Sequence, residues 1–389
     1  MFKILTLNKI SAEGMALFDS ENYEAKNNIE NPDAVLVRST DMYGMEIPSS
    51  VLAIARAGAG YNNIPVEKCS ERGIVVFNTP GANANAVKEL VLAVLFLSSR
   101  KIFEGVEWMK SLSGSKQELA DIVEANKYLF SGPEIHGKTL GVAGLGAIGA
   151  AVANDALALG MEVIGYDPYI SIDAAWKLSR SVCRADSLEQ LLAKSDYITI
   201  HIPFSGDTKG FLNVNNIPFI KKGARLINMA RGGLIDDCAI MTALDSGALS
   251  YYATDFPSSN LIAHKNVLCI PHLGASTPEA EINCAKMAVT QLKNFLETGA
   301  IKNSVNFPDC HLIGNECNRL LVANRNIPNM VGQITSTLAG ENINITDLIN
   351  HHKGNYAYNI IDTEQPISNN VLERLKKIEG VVRVRTMQK

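Results

Sequence analysis

The sequence predicts an α/β protein in three modules: two lobes built on parallel sheets, interleaved along the chain, then a small α+β domain. Three observations predict it. Short runs rich in Val, Ile and Leu alternate with amphipathic stretches almost to residue 275, as parallel strands joined by helical crossovers do. The motif Gly144-x-Gly146-x-x-Gly149 follows one such run and opens a helical pattern. Beyond a polar, irregular stretch at 300–316 the order becomes strand, helix, strand, strand, helix, strand, which is ferredoxin-like.

Each element can be justified in turn. The first lobe opens with "FKILTL", "AVLVR", "LAIARAG" and "GIVVFNTPG", with helical patterns "SAEGMALF" and "VEKCSERG" between them. A long helical pattern runs from about Asn83 to Lys110. The second lobe reads "KTLGVAGLG", "MEVIGYDP", "DYITIHIPF", "ARLINMA", "YYATDF" and "NVLCIPHLG", and "STPEAEINCAKMAVTQLKNFLETG" follows as a long helix. The last segment, roughly 70 residues, is the length of a complete small domain.

Composition narrows the function classes. At 389 residues the chain exceeds one ordinary core. A net charge of −4 with no basic arm argues against nucleic acid as a main partner. The start, "MFKILTLNKI", lacks signal-peptide organisation, and the apolar run "LVLAVLFL" at 90–97 is too short for a bilayer, so no membrane association is expected. Seven cysteines without a CxxC pair suggest neither zinc nor a disulfide framework, and no metal is expected. They read as reduced thiols of a cytoplasmic protein.

The glycine motif carries the first chemistry. Its glycines permit a tight turn and close approach to a pyrophosphate at a helix amino terminus. Asp167 ends the next strand, where an acid accepts from adenosine ribose hydroxyls and repels a 2′-phosphate. The expected cofactor is NAD, ahead of NADP. Three polar residues then leave strand ends: Arg231 after "ARLINMA", Asp255 after "YYATDF", and His272 after "NVLCIPH". Ligands of open parallel sheets bind beyond such carboxyl ends. Oxidising a hydroxyl needs a base for its proton, for which imidazole is suited. A substrate carboxylate is matched by a planar guanidinium. Bare backbone at Gly232 and Gly233 is expected to leave room there for substrate and cofactor.

Taken together, "RAGAGYNN", "NTPGANANAVKEL", "GVAGLGAIG…YDP", "NMARGGLIDD" and "PHLGAST" resemble the D-isomer-specific 2-hydroxyacid dehydrogenases, in a short form with a carboxyl-terminal ACT domain. The resemblance implies a Rossmann-type NAD domain, residues 98–277, inserted in a flavodoxin-like substrate domain, residues 1–97 and 278–312. A ferredoxin-like ACT domain, 318–389, would follow. It implies NAD-dependent oxidation of D-3-phosphoglycerate at the head of L-serine biosynthesis. The alternatives are a glyoxylate, hydroxypyruvate or D-lactate reductase of the same family, or a non-enzymatic NAD-sensing corepressor.

Residue roles follow from the same resemblance. Arg231 binds the substrate carboxylate, His272 exchanges the proton, and Asp255 holds the nicotinamide amide. Ala59 and Gly60 offer backbone N–H groups to substrate. Gly144, Leu145, Gly146, Ala147, Ile148, Gly149, Asp167 and Met229 meet the cofactor. Arg38 is the first candidate for the substrate phosphate, and Lys9 the second. The family's usual glutamate partner of the histidine is replaced by Asn260, so another acid serves or the histidine works alone; Glu279 and Glu281 are candidates. In the ACT domain, Asn326 and Asn344 match positions that hold an amino acid, with L-serine as the expected inhibitor; a module that only dimerises is the alternative. Asn324 stands where some members have histidine. Asn329, where the family has glycine, is expected to crowd that pocket. Adjacent His351 and His352 point to opposite faces of a strand and suggest no metal site. A homodimer or homotetramer is expected.

Overall fold

The computed structural model describes residues 1–313 and 318–388. It forms two compact units, Met1–Asn83 with Pro278–Lys389, and Ala84–Thr277. The helix Ala84–Arg100, through which the expected boundary at 97 and 98 runs, lies whole in the second unit. Its apolar face explains this: Val87, Val91, Val94 and Leu95 share a core with Leu140, Val142 and Val152.

In the first unit, strands β1 (Phe2–Leu7), β2 (Tyr23–Lys26), β3 (Ala34–Val37), β4 (Ala53–Arg56) and β5 (Val75–Phe77) pair in parallel in the order β2-β1-β3-β4-β5. This is the flavodoxin-like order. Every residue of β3 is buried, as expected at the centre of a sheet covered on both faces. Alternate residues divide between two cores. Val35, Val37, Ile54 and Val76 face one layer. Leu36, Ala55 and Phe77 face the long helix Pro278–Thr298 through Ala288, Leu292 and Phe295.

The second unit holds β6 (Thr139–Ala143), β7 (Glu162–Tyr166), β8 (Cys183–Arg184), β9 (Tyr197–Ile200), β10 (Ala224–Asn228), β11 (Leu249–Thr254) and β12 (Val267–Cys269). They form one parallel sheet in the order β12-β11-β10-β9-β6-β7-β8. The order reverses between β6 and β9, the switch point where a doubly wound sheet opens a crevice. No described helix is long and apolar enough to cross a membrane.

The carboxyl-terminal strands β13 (Asn318–Arg325), β14 (Ile345–Lys353), β15 (Tyr356–Thr363) and β16 (Val381–Gln388) form an antiparallel sheet ordered β14-β15-β13-β16. With helices Met330–Ala339 and Asn369–Lys376 this is the ferredoxin-like arrangement. Leu320, Val322 and Ile361 face those helices. Leu321, Ala323, Tyr358 and Ile360, one residue out of phase, belong to the same core as β1, β3 and the long helix. The module therefore shares a core with the rest of its unit.

Polar contacts secure that junction. Arg319 and Asp362, 7% and 2% exposed, form a two-pronged ion pair at 2.7 Å on each prong. Arg319 also donates to the Thr298 carbonyl at 2.9 Å, and Tyr358 Oη donates to the Gly299 carbonyl at 3.1 Å. Arg385 donates to the carbonyls of Phe295, at 3.2 Å, and Leu296. The last carbonyls of a helix lack partners within it, and cations suit its negative end.

Asp362→Asn leaves Arg319 buried without a full counter-charge and is expected to destabilise the protein by roughly 3 kcal/mol. A urea titration reads this directly, and an unchanged midpoint would contradict the role given to the pair.

Candidate active site

The cofactor candidates begin where β6 ends. Gly144 has φ +88°, and a Cβ there would lie 2.8 Å from the backbone of His201. A Cβ on Gly149 would lie 1.9 Å from the Gly144 carbonyl oxygen, so that glycine lets helix Ala147–Ala158 close on the strand. A Cβ on Gly146 would meet nothing within 4 Å. Gly146 is the helix N-cap and has no side-chain cap, so the first N–H groups, around Ala147 and Ile148, remain available to an anion. Asp167 braces the turn: its Oδ2 accepts from the Leu145 N–H at 2.8 Å and its Oδ1 from the Tyr169 N–H at 2.9 Å. Leu145 and Met229 are buried in the core, 6% and 5% exposed.

The reactive candidates leave strand ends that are in register. Asn228 of β10 pairs with Thr254 of β11, and Thr254 pairs with Cys269 of β12. Just beyond this row come Arg231, Asp255 and His272, in that spatial order. Asn228, 1% exposed, pins the first turn: its Nδ2 donates to the Arg231 carbonyl at 3.0 Å and its Oδ1 accepts from the Ala230 N–H at 3.1 Å. The Arg231 guanidinium donates to the Ala230 carbonyl at 2.7 Å. Asp255 is 3% exposed and neither carboxylate oxygen has a hydrogen-bond partner. Burial pushes its carboxyl above the usual carboxylate range, against the pull of the charges at His272 and Arg231. His272 is exposed, and its ring packs edge-on to Phe256 at 4.6 Å.

The two glycines after Arg231 lie against aromatic side chains. A Cβ on Gly232 would lie 3.3 Å from the Phe256 side chain, and one on Gly233, at φ +78°, would lie 2.9 Å from the Phe204 ring. The space they leave is occupied by aromatic rings. Asn228, which holds the turn at Arg231, and Phe256, which packs on His272, were missed by sequence reasoning; an Asn ending a buried strand was the available signal for the first.

In the first unit, Ala59 and Gly60 follow β4. The carbonyls of their loop are taken: Gly58 O by the Thr79 N–H at 3.1 Å, Ala59 O by Asn78 Nδ2 at 2.6 Å, and Gly60 O by Arg56 Nη1 at 2.6 Å. The N–H groups of Ala59 and Gly60 donate to no acceptor among the described residues. Arg56, also missed, binds the Arg38 carbonyl as well, at 2.9 Å. Arg38 itself is paired with Glu281, in the first turn of the long helix. Beside it, Asn8 Oδ1 accepts from the N–H groups of Arg38, Ser39 and Thr40 at 3.3, 2.9 and 2.9 Å. Three convergent N–H groups make an anion-type nest, here filled by an amide oxygen. Lys9 and Glu279 are exposed, as is Asn260 in the second unit.

The carboxyl-terminal candidates are exposed amides. Asn326 Nδ2 donates to the Gly354 carbonyl at 3.3 Å, and the Asn344 N–H donates to Gln365 Oε1 at 2.8 Å. Asn329 has φ +67°, the left-handed conformation that asparagine tolerates best after glycine, and its Oδ1 turns back toward Gly332. An amide ladder, buried at Asn324 and Asn359, crosses three strands of the same sheet. Asn350 Nδ2 donates to Asn359 Oδ1, and Asn359 Nδ2 to Asn324 Oδ1, each at 2.7 Å.

Residues 92–274 match the D-isomer specific 2-hydroxyacid dehydrogenase, NAD binding domain. A D-3-phosphoglycerate dehydrogenase of Bacillus subtilis is 33% identical over 326 residues, 79% of this chain and 59% of its own length. One from Methanocaldococcus jannaschii is 35% identical over 295 residues, 74% of this chain and 54% of its own. The chain thus spans little more than half the length of these relatives. Among solved structures, the NAD+-bound 3-phosphoglycerate dehydrogenase of Entamoeba histolytica aligns with a TM-score of 0.60 at 26% identity, over 80% of this chain and 99% of that one. The D-mandelate dehydrogenase of Rhodotorula graminis, at 23% identity and a TM-score of 0.66 over 80% of this chain and 99% of that one, shares the fold. By sequence and by fold, residues 92–274 are the NAD-binding domain of a D-isomer specific 2-hydroxyacid dehydrogenase.

Proposed function

We propose that the protein oxidises D-3-phosphoglycerate to 3-phosphohydroxypyruvate with NAD, the opening step of L-serine synthesis. The observation that carries the reading is the registered row of strand ends bearing Arg231, Asp255 and His272, in the same unit as the glycine turn. Relatives named D-3-phosphoglycerate dehydrogenase support the choice of substrate.

The residues fit the cofactor. The open face at Gly146 and the uncapped helix suit a pyrophosphate, and the partnerless Asp255 oxygens suit the carboxamide N–H₂ of nicotinamide. Held there, NAD would supply the hydride acceptor for oxidation of a substrate hydroxyl. His272 takes the hydroxyl proton, and the Arg231 guanidinium holds the carboxylate through paired hydrogen bonds. The free N–H groups of Ala59 and Gly60 donate to the substrate. Its phosphate competes with Glu281 for Arg38, with Lys9 in reserve.

The carboxyl-terminal module is an ACT domain in this reading, residues 318–389, with the amides of Asn326 and Asn344 for L-serine. The assembly is a homodimer or homotetramer; Ile102, Phe103, Val106 and Met109 are all exposed on one helix that has no buried residue. Six described cysteines are unpaired, which suits the reducing cytoplasm.

Initial rates with NAD or NADH on 3-phosphoglycerate, phosphohydroxypyruvate, hydroxypyruvate, glyoxylate and pyruvate test the assignment. A preference for the phosphorylated pair is expected; equal rates on unphosphorylated acids would contradict it. His272→Ala should lower kcat by about 10³-fold while NADH still binds by fluorescence titration. Arg38→Gln should raise KM for phosphohydroxypyruvate and leave that for hydroxypyruvate near its parent value. L-Serine should inhibit the parent, and Asn326→Ala should relieve that inhibition.

A further inference from the structure

Gln291 stands where the long helix Pro278–Thr298 otherwise buries apolar or small side chains, beside Ala288 and Leu292, and is 6% exposed. A buried amide is costly unless its hydrogen bonds are made. Gln291 makes one: its Nε2 donates to the Asn78 carbonyl at 3.0 Å, while its Oε1 has no partner. An apolar side chain of the same length would fill this space without that cost. The single bond to Asn78 is what glutamine adds.

That bond is the first link of a chain of peptide groups, all within the first unit. No described peptide bond is cis, and in a trans peptide the carbonyl and the following N–H point in opposite directions. Gln291 holds the Asn78 carbonyl, which turns the Thr79 N–H the other way, onto the Gly58 carbonyl at 3.1 Å. With Gly58 O held by Thr79, the Ala59 N–H must point away from the 78–79 segment. Asn78 acts a second time, through its side chain. Its Nδ2 donates to the Ala59 carbonyl at 2.6 Å, which turns the Gly60 N–H away in the same manner. Both N–H groups are thereby left without an acceptor in the chain and aimed to one side.

We propose that Gln291 and Asn78 are positioning residues for substrate binding, which fix the Ala59 and Gly60 N–H groups before substrate arrives. Each acts through a peptide group of the loop. Donors already aligned need not be ordered on binding, and successive hydrogen bonds along such a chain polarise one another.

The inference rests on the substrate role given above to those two N–H groups, and its test separates the two. Gln291→Met keeps the side-chain length and removes the donor. It should raise KM for phosphohydroxypyruvate about fivefold, keep kcat within about twofold, and leave the melting temperature near that of the parent. Asn78→Ala should do the same, and carries the test if the methionine variant folds poorly. Binding is also read without turnover. The ¹H–¹⁵N amide signals of Ala59 and Gly60 should move when 3-phosphoglycerate is added to the parent, with a dissociation constant about fivefold weaker in both variants. If those amides ignore 3-phosphoglycerate and D-glycerate alike, the substrate role of the loop fails and this inference with it. If they respond in the parent while neither variant changes KM or the dissociation constant, the loop binds substrate and the positioning role is overturned. A joint fall of kcat and melting temperature in both variants would mean that the two side chains only support the fold, which overturns it as well.

Discussion

Parallel pairing in register is the constraint on which the candidate chemistry depends. Asn228, Thr254 and Cys269 stand abreast, so the chain leaves three neighbouring strands at one level. Side chains placed just beyond that level reach the same region without help from long loops. The strands themselves are too buried to carry reactive groups: β9 and most of β10 and β11 are closed on both faces. Along these central strands chemistry is confined to the ends, because their faces are covered. Asn228 reinforces the constraint by spending both ends of its amide on the turn that presents Arg231.

Much of this was legible in the sequence. Alternating apolar runs give both parallel sheets, since periodicity is a local property. The glycine turn and Asp167 were legible for the same reason, each being a short-range device. Arg231, Asp255 and His272 could be picked out because each interrupts the pattern at a strand end. What could not be read was which distant residue fills which space. Gly232 and Gly233 looked like vacancies for a ligand, and they accommodate Phe256 and Phe204, which lie far enough along the chain that no spacing rule connects them. Arg56 was hidden similarly, since its partners are carbonyl oxygens and every residue has one.

The carboxyl-terminal module shows the same limit on a larger scale. Its strand order was readable, and so was its length. The run "RLLVA" in β13 is apolar on both faces, which signals a strand covered on each side. The identity of the second cover could not be inferred, because Leu321 and Ala323 meet a helix and sheet that precede them in the chain. The Arg319–Asp362 pair looks like surface charge in the sequence, and burial alone reveals it as a junction.

That shared core has an evolutionary consequence. A module with its own closed interior can be gained, lost or exchanged between proteins with little disturbance to its host. This one cannot be cut away so cleanly. Removing it would bare Phe77, Phe295 and Phe307 on one side and Leu321, Tyr358 and Ile360 on the other, an apolar scar on both fragments. It would also strip the guanidinium and phenol donors from the carbonyls at Phe295, Thr298 and Gly299. Recombination at this seam is therefore penalised on both products, and lineages carrying this architecture should inherit the two parts as one.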